Sequence, residues 1–154
     1  MFLWHPIIVH FAIALLSIAI ITDFLYLISK KEHFWQIATY LLLLGTVSSI
    51  GAVLSGHQAQ DAVLRNPEVD KLIAVHMTSG EITMWIFIVL IVIRFLFIKF
   101  KLFDKSIKWI YYLIGIIGFA FLLRTGILGG EMVYVHGVGI SEKTKTPATK
   151  PSFK

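Results

Sequence analysis

Six histidines and no cysteine set the chemistry open to this chain. Without thiolates, iron–sulfur ligation, c-type haem attachment, thiolate copper sites and disulfides are all excluded. Imidazole and carboxylate remain. His5, His10, His57, His76 and His136 are candidate axial ligands for b-type haem. With a carboxylate such as Asp61 or Glu131, His5, His57 and His136 are also candidate ligands for zinc or copper. No nucleophile elbow, phosphate loop, HExxH motif or serine triad accompanies them, so a self-contained hydrolase is not expected.

The elements that must position these rings are helices in a membrane. Of 154 residues, 57% are hydrophobic and 15% charged, with a mean hydropathy of +0.82, so lipid rather than water is the expected solvent. Four apolar runs, at about 7–28, 37–56, 79–98 and 109–128, each approach the roughly 20 residues that cross hydrocarbon. Backbone polar groups there must be satisfied within the segment, which makes each run an α-helix. The expected fold is all-α, an up-down-up-down four-helix membrane bundle forming one domain over residues 1–140. The Lys-, Thr- and Pro-rich stretch 141–154 reads as a disordered polar tail. MFLWHP carries no basic residue and the first run is long, so a cleaved signal peptide is not expected. Asn66-Pro67-Glu68 has the chemistry of a helix start, so the third helix is expected to run from Glu68 through Ile98. No internal repeat is evident, and no residue pattern supports an inverted one.

Lys30 and Lys31 follow the first run, while Lys99, Lys101, Lys105 and Lys108 surround the third connection. By the positive-inside rule these connections face the cytoplasm, and both termini lie on the outer, periplasmic side of a bacterial inner membrane. The net charge of +5 is accounted for by such lysines and anionic lipid, and nucleic acid is not an expected partner. Alternating helix direction then brings His5, His10, His57, His76 and His136 to the outer face and leaves His33 on the other.

Local faces refine the candidates. Gly80 and Thr83 follow His76 at four and seven positions, and Ala14 and Ser17 follow His10 likewise, leaving room beside each ring for a flat group. His5 and His10 differ by five positions, about 140° around a helix, so they serve different partners. His10 with His76 is the preferred haem pair, and His5 with His136 a second; His57 is the weakest candidate. Arg124, inside the fourth run, is expected either to hold a haem propionate or to pair with Glu81. Asp23, inside the first, has three readings: a cap, a proton site, or a partner for Arg94.

His5-Pro6 with Val9-His10-Phe11, Gly45, Gly56 and His76, and the closing run from Gly129 to Gly139 together resemble the bacterial domain-of-unknown-function 2231 membrane family, over nearly the whole chain. Ala12 stands where that family commonly has proline, and His57 is not one of its hallmarks. The resemblance implies the four-helix membrane fold and leaves the chemistry open, although some genes of this kind are associated with redox partners. The expectation carried forward is a cytochrome-like protein holding one or two haem b groups near the outer face, with quinol as an electron source. Its expected partners are the bilayer and other membrane or periplasmic redox subunits. The alternatives are a histidine-based zinc or copper site, or a structural subunit without cofactor.

Overall fold

A computed structural model describes residues 4–60, 67–103 and 105–139. The 141–154 stretch and Asp61 lie outside the described residues. Four helices account for nearly all of them: α1 (Trp4–Ser29), α2 (Glu32–Gln60), α3 (Pro67–Phe100) and α4 (Lys108–Tyr134). Proline opens α3, where its missing N–H costs nothing, and Glu68 and Asp70 occupy the first turn. Each helix is long and apolar enough to cross a membrane, with mean hydropathies of 2.4, 1.9, 2.4 and 1.9 in chain order. Their outer faces carry large apolar side chains such as Ile28, Leu54, Trp85 and Ile127, all exposed, as a lipid-facing surface requires. Four apolar helices of this kind make the chain a membrane protein.

The helices form a ring in which α1 touches α2 and α4, α3 touches the same two, and the pairs α1/α3 and α2/α4 stand diagonally. Contacts run in reverse order along every neighbouring pair. Between α1 and α2, His5 bonds Ser55 and Leu16 lies against Gly45; between α3 and α4, Ser79 bonds Thr125 and Arg94 bonds Tyr111. Glycine sets the closest approaches. A Cβ on Gly45 would stand 2.6 Å from Leu16 Cδ2, and one on Gly118 would stand 2.9 Å from Ile86 Cγ2. The absence of side chains at these points lets backbones close where lipid supplies no hydrophobic drive.

The two hairpins, α1–α2 and α3–α4, also match position by position, which the sequence alone does not reveal. Buried Ala12, Leu16, Ala19, Ile20 and Asp23 of α1 have counterparts 71 positions later in Thr83, Phe87, Leu90, Ile91 and Arg94, all buried in α3. Buried Ala38, Leu42, Gly45 and Ser49 of α2 correspond, at a constant offset two residues larger, to buried Tyr111, Gly115, Gly118 and Leu122 of α4. Both first helices even end alike, on lysines in the left-handed region, Lys30 at φ 57° and Lys101 at φ 52°. Glycine is the usual residue there, and a lysine costs roughly 1 kcal/mol. The side chains have diverged, Thr for Ala, Arg for Asp, Tyr for Ala, so composition hides a correspondence that burial exposes.

Candidate functional site

Two polar centres lie at opposite ends of the bundle. One is a closed lock. Arg94 of α3 crosses to Asp23 of α1, whose other carboxylate oxygen accepts the Tyr111 hydroxyl of α4 at 2.6 Å. Arg94 also donates to Thr39 Oγ1 at 2.9 Å, to Tyr111 Oη at 2.8 Å and to the Trp35 carbonyl. The rings of Trp35, Phe103 and Tyr111 surround its guanidinium at 5.1, 5.6 and 5.7 Å. All four helices therefore meet on one cation. Of the three readings open for Asp23, pairing with Arg94 is the one realised, and Tyr111 is a member that sequence reasoning missed. A tyrosine hydroxyl within an apolar span needs a partner when buried, and that is the signal that points to it.

The other centre is an open apolar cleft of about 80 Å³, lined by His5, His57, His76 and Glu81 among small residues such as Ala12, Ala52, Gly80 and Thr83. His5 rests on α2. Its Cε1 lies 3.1 Å from where a Gly56 Cβ would stand, and its Nδ1 is 2.9 Å from Ser55 Oγ. Ser55 gives its own hydroxyl proton to the Ala52 carbonyl at 3.0 Å, so its oxygen accepts from His5 Nδ1–H. That assigns the proton to Nδ1 and leaves Nε2 with a lone pair. His76 rests on α4 in the same manner, with Cε1 3.2 Å from a Gly129 Cβ position. The Thr125 carbonyl is its polar neighbour, while its buried Nδ1 has no partner within hydrogen-bonding distance. Beneath the cleft, Thr125 Oγ1 lies 2.9 Å from Ser79 Oγ and 3.2 Å from Thr83 Oγ1, which pins α4 to α3.

The remaining sequence candidates distribute as follows. His10 is exposed and outside the cleft; its Nδ1–H donates to the Pro6 carbonyl at 2.6 Å within its own helix. The expected His10–His76 pair is thus replaced by His5 and His76, because the face of α1 that turns inward carries His5, Ala12, Leu16 and Asp23. His136 sits in the turn after α4, half-buried and apart from the cleft, so the second expected pair, His5 with His136, is not brought together there. His57, the weakest candidate on sequence, does line the cleft, where its Nε2 lies 3.0 Å from Glu81 Oε1. Glu81 therefore pairs with His57 rather than Arg124, which is exposed and does not line the cleft. His33 is at the far end, its ring tilted against that of Phe34.

These positions bear on the cofactors. Among the described residues, no group of three or more His, Asp or Glu side chains is placed to hold a metal ion, so the expected zinc or copper site has no ligand cluster there. For haem, the donor set suits but the space does not. At about 80 Å³ the cleft lies well below the range of about 300–1,000 Å³ typical of larger ligands, so the ligand it suits is a small one and a porphyrin does not fit between these rings.

No curated protein and no solved structure matches the chain. A comparison with protein families matches residues 4–142 to the one described as "Predicted membrane protein (DUF2231)". With that match covering all four helices, the chain belongs to the DUF2231 family of membrane proteins.

Proposed function

We propose that this chain is a membrane subunit that binds a small lipid-soluble phenolic ring, of the quinol class, in the cleft between His5 and His76. One observation carries the reading: two imidazoles from different helices share a small apolar cleft, and on His5 the hydrogen-bond chain through Ser55 reserves Nε2 as an acceptor. A phenolic O–H donates to such a nitrogen, and apolar walls suit the ring. Glu81, held by His57 at the same cleft, is a carboxylate within the site for proton exchange with the ligand.

Lysine placement supports an outward-facing site. Lys30, Lys31, Lys99, Lys101, Lys105 and Lys108 all cluster near the Asp23–Arg94 end of the bundle, opposite the cleft. The positive-inside rule then turns the histidine end to the outer side of a bacterial inner membrane, with both ends of the four-helix unit there. The partners that go with such a ligand are redox subunits of the same membrane, in keeping with the quinol-linked role.

The test is anaerobic titration of the protein, in nanodiscs, with trimethylhydroquinone. Saturable binding that weakens about tenfold or more in His76→Leu, and not in His33→Leu, is expected. Binding that is unaffected by both His5→Leu and His76→Leu would remove the cleft from consideration. An optical spectrum of the purified protein showing a Soret band that shifts on dithionite reduction would return haem to first place.

A further inference from the structure

The correspondence between the hairpins extends into the cleft. His5 and His76 are related by the 71-position offset that relates Asp23 to Arg94, and each ring lies over a glycine of its own hairpin partner, Gly56 or Gly129, with Cε1 3.1 or 3.2 Å from where a Cβ on that glycine would stand. The carbonyl that attends each imidazole is also equivalent: Ala52 for His5, Thr125 for His76, four residues before the respective glycine. Further cleft residues pair in the same way, Val9 with Gly80, Ala12 with Thr83, and Val53 with Gly126. Since α1 and α3 run the same way on opposite sides of the ring, as do α2 and α4, the operation relating the hairpins is a two-fold rotation about an axis along the bundle. Such parallel repeats, with a ligand site where the halves meet, recur in membrane proteins.

A site on a two-fold axis has two equivalent ends. We infer that His5 and His76 are the two halves of one ligand site, which takes a ring bearing two oxygens at opposite positions, a para-hydroquinone, with one oxygen on each imidazole. This rests on the phenolic-ring reading above and narrows it. A monophenol fills the same space but engages one imidazole at a time, so it has two equivalent, degenerate orientations and half the hydrogen bonds. The cleft is not symmetric in charge: His57 and Glu81 have Gly130 and His10 at the equivalent positions, and neither of these lines it. The axis therefore governs which rings fit, while the His57–Glu81 contact on one side distinguishes the two oxygens once bound.

The experiment compares trimethylhydroquinone with trimethylphenol on the full chain in nanodiscs, kept anaerobic. His5→Leu and His76→Leu are each expected to weaken hydroquinone about tenfold, down to the level of the phenol. The phenol is expected to tolerate either single change, with less than about a twofold loss, and to be released only by the double variant. If one histidine carries the whole effect on hydroquinone, or if phenol binds as tightly as hydroquinone to the unaltered chain, the two-fold site is wrong although ring binding stands. If neither ring binds, the phenolic reading itself fails and takes this inference with it. Selective ¹⁵N-histidine spectra of the unaltered protein give the same answer without relying on variants. One equivalent of hydroquinone moves the imidazole ¹⁵N signals of both His5 and His76 if the inference holds, and of one alone if it does not.

Discussion

Arg94 of α3 and Asp23 of α1 bond to each other across the centre of the bundle, at two positions that are equivalent in the two hairpins yet opposite in charge. A pair of identical hairpins would place like charges there, so the ion pair selects the α1–α2 half as partner for the α3–α4 half. Both side chains are almost wholly buried, at 0% and 3% exposed, and each leaves an uncompensated charge when the other is removed.

Asp23→Ala or Arg94→Ala is therefore expected to cost about 3–5 kcal/mol, read as the midpoint shift of unfolding in mixed micelles. The double replacement Asp23→Leu with Arg94→Met removes both charges together and is expected to recover most of that loss. A double variant as unstable as the sum of the singles would show that the cation acts through its bonds to Trp35 and Thr39 instead. Tyr111→Phe removes one hydroxyl shared by the pair, for an expected loss of about 1–3 kcal/mol.

Glycine substitutions separate packing from binding. Gly45→Ala drives a Cβ to 2.6 Å from Leu16 Cδ2 and 3.1 Å from the Leu16 backbone nitrogen, an overpacking expected to cost about 1–3 kcal/mol with little effect on the cleft. Gly56→Ala and Gly129→Ala instead crowd only an imidazole ring, at 3.1 and 3.2 Å. Their expected signature is the reverse: hydroquinone affinity falls several-fold while the unfolding midpoint shifts by less than about 1 kcal/mol. Equal loss of stability in all three variants would contradict the view that these two glycines serve the histidines.

The His57–Glu81 pair is half exposed, at 46% and 43%, so it adds little to the fold. Glu81→Gln is expected to leave the unfolding midpoint within experimental scatter and to change ligand affinity. An unchanged affinity would place Glu81 outside the site.

Much of this arrangement is legible in the residues. Four helices follow from four apolar runs, and the start of α3 at Pro67 follows from Asn66-Pro67-Glu68. The gathering of His5, His57 and His76 at one end follows from alternating direction. Which face of α1 turns inward does not, and His10 above Ala14 and Ser17 is a misleading stripe: Ala14 is exposed. The informative spacing is another one. His5 precedes Asp23 by 18 residues, five full turns, and His76 precedes Arg94 by the same 18. A charged residue within a span must face protein, so Asp23 and Arg94 fix the inner faces and carry His5 and His76 inward with them. The hairpin correspondence is hidden for a different reason. Buried positions are kept while most of the side chains that fill them have changed, so the few identical pairs, such as His5 with His76 and Gly56 with Gly129, stand out only once the burial pattern aligns them.

Orientation is testable because the chain has no cysteine. In intact bacterial cells, Gln58→Cys near the cleft end is expected to react with a membrane-impermeant maleimide, and Lys31→Cys at the lysine end to react only after lysis. The opposite pattern would turn the cleft toward the cytoplasm.

The same absence of cysteine allows the pairing of His5 with His76 to be measured directly. The variant His5→Cys with His76→Cys, treated in nanodiscs with a short bifunctional thiol reagent, is expected to form an intramolecular bridge in high yield, and His10→Cys with His76→Cys to form little. Efficient bridging of the His10 variant, with none for His5, would mean that α1 presents its other face and that the shared cleft does not exist.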